Sequence, residues 1–367
     1  MSVVNTRTTM GEQVTLDALI AHSLAELIDD GVTELGQYAL YKQENLEHVN
    51  FPVCSSIGSY AMQDCVKLTK VEIGAKTSIG SSAFRGCTLL KSLILSGSTA
   101  STLSSYDTLA STNFAKCNGG IYVPNNLVDT YKSTQNWMPY RHLIFPDSDF
   151  PRTSYATITD SWTDIVAASA NGTYSSKYKV GDTALMTING TSYLFMLVAK
   201  DKDVKADDSG TANMTWLLVG MYNTHRMNAS NVTTDGWEGC EMRTWLSGTV
   251  MPLMPSEVQA ALVEVKKPYF DYDSSSTKVC SDKIWIPSSY EVCLTGGYLK
   301  EDSGVQYSDV FTTNQYSRVK FDTNGSAGSW WLRSASSGAS FVYVASSGGG
   351  SYYSATIAIG VVFGFCI

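Results

Sequence analysis

Charge is what this sequence has least of. Only 16% of its 367 residues are Asp, Glu, Lys or Arg, against about 25% in an ordinary soluble domain. The balance is acidic, with a net charge of −8, and the 26 basic residues are dispersed. Such a surface does not neutralise phosphates, which excludes nucleic acid as a partner. Histidine occurs four times, at positions 22, 48, 142 and 225. No H-E-x-x-H, G-x-S-x-G or Walker A pattern accompanies it, so no enzyme constellation forms, and no cofactor or metal is expected. None of the eight cysteines makes a C-x-x-C pair, which removes zinc-ribbon and thioredoxin readings, and their density is far below that of a disulfide scaffold. No apolar run reaches the roughly 18 residues of a membrane helix. The longest, Ala355–Ile367, reads as a buried strand, so no membrane insertion is expected. The N-terminus MSVVNTRTTMGEQVTLDAL lacks the apolar core of a signal peptide, so synthesis in a bacterial cytoplasm without one is expected. With 44% hydrophobic residues, the chain has enough apolar mass to fold.

What is present begins with a repeat. Leu35-Gly36-Gln37-Tyr38-Ala39-Leu40, Ile57-Gly58-Ser59-Tyr60-Ala61-Met62 and Ile79-Gly80-Ser81-Ser82-Ala83-Phe84 recur every 22 residues. Leu46, Leu68 and Leu90 keep the register, as do Val49, Val71 and Leu93, and Phe51, Ile73 and Leu95. Cys65 and Cys87 also match, where small apolar side chains would stack between coils. This period lies in the range of leucine-rich solenoids. Residues 99–123 read as a degenerate fourth turn. The stretch resembles the BspA-like leucine-rich repeats, whose unit is IGxxAFxxCxxLxxVxI. It covers residues 32–146, counting the closing segment around Ile121-Tyr122-Val123-Pro124 and Trp137. That resemblance implies a spacer or docking module.

Ahead of the repeats, Leu16, Leu19, Ile20, Leu24, Leu27 and Ile28 fall at helical spacing behind Thr15. The spacing predicts a helix over Thr15–Asp29 within an N-terminal cap, residues 1–31, closing the solenoid or serving as an attachment or trimerisation element. Pro146 and Pro151 punctuate a linker, residues 147–159. Beyond it the pattern predicts helices over Trp162–Ser169, Gly239–Leu246 and Pro255–Val263, strands over Thr183–Ile188 and Tyr193–Val198, and mostly strand from Lys283 onward. The chain is therefore read as α+β, with a short solenoid followed by a mixed domain, residues 160–367.

Within that domain, Asp201, Asp203, Asp207 and Asp208, and likewise Asp271 and Asp273, are close in sequence without EF-hand spacing and read as solvated loops. His225 beside Arg226 reads as structural, and Glu241 as an ion-pair partner of Arg226 or Arg243. The anomaly is the C-terminus. From Ser334 to Ile367 there is no charged residue, no Asn, no Gln and no His. An uncharged vocabulary of Ser, Gly and Tyr is that of adaptable contact surfaces, where Tyr gives area at low entropy cost. A pair of buried strands joined by a Gly-rich turn would also be uncharged.

Residues 160–367 resemble the C-type-lectin-like domains that carry the variable region of diversity-generating retroelements in phages and gut bacteria. The resemblance lies in Trp162-Thr163-Asp164-Ile165-Val166, Tyr178–Thr183, His225-Arg226-Met227-Asn228, Gly236–Leu246, Ile284–Ser288, Ser317-Arg318, Trp330–Ser334 and Gly360–Ile367. It implies that Trp330, Trp331, Leu332, Phe363, Phe365 and Ile367 are invariant core, and that a variable region at about 335–359 is displayed. The implied binding face is Ser336, Ser337, Ala339, Phe341, Val342, Tyr343, Ala345, Ser347, Gly349, Ser351, Tyr352, Tyr353, Ser354, Thr356, Ile357 and Ile359. The implied role is recognition of a host-cell surface receptor, protein or glycan, from a phage or prophage tail-fibre tip, in company with a tail-fibre partner or as a homotrimer. The location would then be the virion or a cell surface. A bacterial surface adhesin with the same face is one alternative. A cryptic enzyme on a formylglycine-generating-enzyme-like fold, using Cys240 or His225, is another. The Glu-Pro-Asn and Gln-Pro-Asp tripeptides of calcium-dependent sugar lectins are missing.

Overall fold

The structure, a computed structural model, describes residues 25–112, 120–150, 156–301 and 303–367. The chain divides into two compact units at Tyr155–Ala156.

The first unit is a parallel solenoid. Its strands in chain order are β1 (Glu26–Ile28), β2 (Glu34–Leu35), β3 (His48–Phe51), β4 (Ser56–Ile57), β5 (Lys70–Ile73), β6 (Ser78–Ile79), β7 (Ser92–Leu95), β8 (Thr102–Leu103), β9 (Gly120–Val123) and β10 (Ile144–Pro146). The odd strands and β10 build a six-stranded sheet, β1-β3-β5-β7-β9-β10, and the short even ones a four-stranded sheet, β2-β4-β6-β8. The 22-residue period places Val49, Val71 and Leu93 in one buried rung, which Ile121, 28 residues further on, continues. Cys65 and Cys87 are both buried, each donating its thiol to a carbonyl of the preceding turn, Leu40 at 3.0 Å and Met62 at 3.1 Å. Helix α1 (Val128–Ser133) and the turn after it close the far end. There the Ser101 amide donates to the Tyr131 hydroxyl at 2.8 Å, and the Trp137 indole donates to the Ser101 carbonyl at 2.9 Å.

The predicted N-terminal helix fails where it can be seen. Glu26–Ile28 is strand β1, and Leu27 pairs in register with Val49. A sheet edge with unpaired backbone groups offers these residues a full ladder, which outweighs their helical spacing. The rest of that predicted helix, residues 15–24, lies outside the described residues.

The second unit is α+β. Its helices are α2 (Trp162–Ala170), α3 (Tyr174–Lys177), α4 (Glu241–Trp245) and α5 (Ser256–Ala261). Helix α2 starts at a capping box in which Ser161 and Asp164 satisfy each other's backbone. Its Trp162 packs edge-on against Trp216 and Phe195. The strands are β11 (Thr183–Ile188), β12 (Thr191–Lys200), β13 (Met214–Leu218), β14 (Thr224–His225), β15 (Val265–Asp271), β16 (Ser276–Asp282), β17 (Ile284–Trp285), β18 (Lys320–Phe321), β19 (Ala327–Gly328), β20 (Trp330–Ser337), β21 (Ser340–Val344), β22 (Gly350–Ser354), β23 (Ile359–Gly360) and β24 (Gly364–Cys366).

One five-stranded sheet runs β11-β12-β13-β24-β17 and another β14-β23-β20-β21-β22, with β15 and β16 a separate hairpin. Strand β24 lies between β13 and β17, which fixes the C-terminus inside the first sheet. One core cluster contains Phe195, Trp216 and Phe365 of the first sheet and Trp330, Trp331 and Phe341 of the second. All six residues expected as invariant core are buried. No helix among the described residues is long and apolar enough to cross a membrane.

Candidate binding face

The second sheet carries the uncharged C-terminal stretch, and its pairing determines what each residue can do. Side chains alternate along a strand, so neighbours in register share a face. His225 opposes Ile359, Trp331 opposes Tyr343, and Phe341 opposes Tyr353. One face therefore carries His225, Ile359, Trp331, Tyr343 and Tyr353 across all five strands. The rings of Tyr343 and Tyr353 are stacked at 4.2 Å and 5°, and Trp331 meets both edge-on. The hydrogen bond with Tyr343 raises the Tyr353 phenol above its ordinary range. At the other end His225 stacks on Trp245 at 4.2 Å, and its carbonyl accepts from the Trp331 indole at 2.9 Å. The opposite face carries Trp330, Val344, Val342 and Tyr352, and Tyr352 meets Tyr298 at 5.3 Å.

Turns at the ends of these strands are held by partners outside residues 335–359. The 337–340 turn rests on Thr233, whose hydroxyl donates to the Ser337 carbonyl at 2.6 Å and whose amide donates to Gly338. Ala355 accepts from both Met227 and Asn228 amides, and Ser354 donates to Asn231 at 2.5 Å. Arg318 is buried and donates to the carbonyls of Gly348 at 2.9 Å and Thr312 at 2.7 Å, which pins the Gly-rich turn. Gly348 has φ +85°, and a Cβ there would lie 2.0 Å from the Gln315 carbonyl, so the turn demands glycine.

Beneath the sheet lies a buried ionic cluster. Lys267 Nζ lies 2.5 Å from Asp203 and 3.1 Å from Glu291, and 3.7 Å over the Trp285 ring. Arg333, on β20 itself, donates to Glu291 at 2.6 Å and to the Pro268 and Ile286 carbonyls. Burial by itself would raise the Glu291 carboxyl, yet Arg333 and Lys267 hold it at about 2. The cluster ties β20 to β15.

The sixteen expected face residues separate into three groups. Tyr352 (49% exposed), Tyr353 (41%) and Ile357 (42%) are open to solvent, with Thr356. Ser336, Ser337, Ala339, Ala345, Ser347, Gly349, Ser351, Ser354 and Ile359 are half-buried. Phe341, Val342 and Tyr343 are buried, which corrects the expectation that they are displayed. Strand β21 is an inner strand between β20 and β22; the rings of Trp331 and Tyr353 cover Tyr343, and Phe341 and Val342 pack into the core cluster. The single contiguous face is corrected too, because Tyr352 and Tyr353 project to opposite sides of β22. Residues that composition did not single out, Tyr298, Trp245, Asn231 and Thr233, complete the surroundings. They are distant in sequence and share no period with the tail.

The acidic residues have separate partners. Asp203 pairs with Lys267, Asp208 with Lys266, and Asp271 with Lys278, while Asp201 accepts from Tyr174 and Asp207 from the Ser209 amide. Glu241 pairs with Arg226 at 3.1 Å, and Arg243 with Asp282. Cys240 is buried, donates to the Met227 carbonyl at 3.0 Å, and has its thiol pushed up to about 12 by burial.

Comparison with known families agrees with the first unit and localises the second. Residues 23–129 match the BspA type leucine rich repeat region in six copies. The chain contains a BspA-type leucine-rich repeat. Residues 212–363 match a domain of unknown function, DUF6273, which encloses every residue of the candidate face. No curated protein matches the chain at a significant level.

Proposed function

We propose that residues 160–367 form a C-type-lectin-like display domain varied by a diversity-generating retroelement, and that the protein recognises a host-cell surface receptor from the tip of a phage or prophage tail fibre. The observation that carries this reading is the stretch Ser334–Ile367, without charge and without Asn. Its outward positions are small, aromatic or, at Ile357, aliphatic: Ser336, Ser337, Ala339, Ser351, Tyr352, Tyr353, Thr356 and Ile357. Its inward positions are mostly Phe, Val and Ala, with Tyr343, Cys366 and Ile367. Adenine-directed change of Asn codons reaches Ser, Gly, Ala, Thr, Ile, Val, Tyr and Phe, and the outward set is drawn from these. Such positions can vary because the core, Arg318 and Thr233 hold the backbone without them. The BspA-type repeats serve as spacer or docking module.

A bacterial surface adhesin with the same face is the second reading, favoured by the frequent surface association of BspA-type repeat proteins. A nucleophilic Cys240 is disfavoured, since an activated thiol is depressed and accessible and this one is raised and buried. The test is attachment of the purified protein to host cells, beside a variant with Tyr352→Ser, Tyr353→Ser and Ile357→Ser. Loss of attachment is expected with the fold retained, at a melting temperature lowered only by loss of the Tyr353 ring over Tyr343 and Trp331. Equal attachment by both proteins would place binding elsewhere. Antibody labelling of virions against cell envelopes separates tail fibre from adhesin.

A further inference from the structure

Strand β22 is the last strand of its sheet, pairing among the described residues with β21 alone. Two ladder hydrogen bonds fix which of its backbone groups face outward. The Ala345 amide donates to the Gly349 carbonyl at 2.7 Å, and the Ala355 amide to the Ala339 carbonyl at 3.0 Å. Hydrogen-bonded pairs alternate along an antiparallel ladder, so Ser351 and Tyr353 bond inward and Gly350, Tyr352 and Ser354 point their amides outward. The Ser354 carbonyl already accepts from Ile357 at 3.1 Å. The amides and carbonyls of Gly350 and Tyr352, and the Ser354 amide, therefore line an open edge.

Natural sheets blunt such edges with charge, proline or a bulge. Strand β22 has none of the three: its sequence is Gly-Ser-Tyr-Tyr-Ser, paired in unbroken register with β21. The two exposed tyrosines straddle the edge, Tyr353 beside Tyr343 on one face and Tyr352 beside Tyr298 on the other. A compact sugar ring can meet only one of them. An extended backbone laid along the edge passes between both, with alternate side chains against each ring.

Resting on the display-domain reading above, we infer that β22 is a strand-addition site and that the ligand is an extended polypeptide segment, hydrogen-bonded to Gly350, Tyr352 and Ser354. A second copy of this chain fits less well. Twofold pairing would be confined to the five residues of β22, which run into turns at both ends. That is far short of the roughly 1,000 Å² a specific interface needs.

The experiment uses the full chain, and 12-mer peptides selected from a random display library as the probe. Tyr352→Pro removes one outward amide, a position where an edge strand tolerates proline, and Tyr352→Ser removes only the ring. Selected peptides are expected to bind Tyr352→Pro about tenfold more weakly than Tyr352→Ser, the size of one lost hydrogen bond. Hydrogen exchange on the unaltered chain keeps the test independent of how well the proline variant folds. Peptide should slow exchange at the Tyr352 and Ser354 amides and leave Ser351 and Tyr353, already bonded inward, unchanged.

Equal affinity of the two variants with no slowing at 352 and 354 would overturn strand addition. So would a glycan array that yields ligands where the library yields none, or a dimer of the unaltered chain that Tyr352→Pro dissociates. If cell attachment is lost with the triple serine variant but kept with Tyr352→Pro, the binding face stands and strand addition alone fails.

Discussion

At the scale of single residues, burial separates positions that composition treats alike. Trp331 and Tyr352 are both large aromatics within the last forty residues, yet Trp331 is sealed under Tyr343 and Tyr353 while Tyr352 stands half in solvent. Trp331→Ala is expected to cost about 3–5 kcal/mol as a large core truncation. Tyr352→Ser and Ile357→Ser should each stay within about ±0.5 kcal/mol. Urea denaturation of the three variants checks this, and equal losses would mean that the exposed positions are structural.

Glu291 yields a second prediction at this scale. It is faced by Arg333 at 2.6 Å, Lys267 at 3.1 Å, the Ser288 amide at 3.0 Å and the Tyr307 hydroxyl at 3.4 Å. Held at about 2 in the folded chain, against about 4.3 when unfolded, its carboxylate stabilises the fold fully above the unfolded value. That contribution, about 3 kcal/mol, drains away as pH falls from about 4.5 toward 2. Denaturation midpoints measured across that window should fall more steeply for the natural chain than for Glu291→Gln. The variant itself should be less stable at neutral pH, since it leaves Lys267 and Arg333 short of a buried counter-charge. A natural chain with a flat profile there would show that the pairing is not felt by the fold.

At the scale of the element, the repeat shows how one motif position changes its meaning with its neighbours. Gly36, Gly58 and Gly80 occupy the same place in successive turns. A Cβ at Gly36 meets nothing within 4 Å, whereas at Gly58 it would lie 2.5 Å from the Gln37 amide nitrogen and at Gly80 2.4 Å from that of Ser59. Glycine is required only where a previous turn is stacked beneath it. Gly36→Ala is therefore expected to leave thermal melting unchanged or slightly raised, because alanine restricts the unfolded chain. Gly80→Ala should destabilise by about 1–3 kcal/mol, the usual cost of overpacking. Melts of the two variants side by side decide it. Two other elements were open to misreading for the same reason. Leu24, Leu27 and Ile28 carry a helical period, yet residues 26–28 join a ladder. Phe341 and Tyr343 carry the vocabulary of a contact surface, yet their strand is covered from both sides.

At the scale of the whole molecule, the charges are not absent but displaced. Lys267, Asp203, Glu291, Arg333 and Arg318 are buried, and Arg226 with Glu241 forms a closed pair at the margin of the face. Recognition through Tyr352, Tyr353 and Ile357 should accordingly depend little on ionic strength. Cell attachment measured from about 50 to about 500 mM NaCl is expected to change less than about threefold, where a steered encounter would lose far more. A steep fall would point to a charged site outside the C-terminal sheet.

The sequence by itself determined the solenoid, because a 22-residue period stacks each residue on its own counterpart and the contacts are local. It also determined the helices and several strands of the second unit, such as Trp162–Ser169 and Thr183–Ile188, and that the tail is uncharged. Only the tertiary structure decided which tail residues face out. That depends on which strands border β21 and where the sheet ends, and these partners come from positions as far apart as His225 and Ile359. The buried network of Lys267, Asp203, Glu291 and Arg333 was invisible for the same reason, since charges that cancel in three dimensions leave no mark on the order of residues. The open edge of β22 belongs there as well: a strand's own sequence does not say whether anything lies beside it.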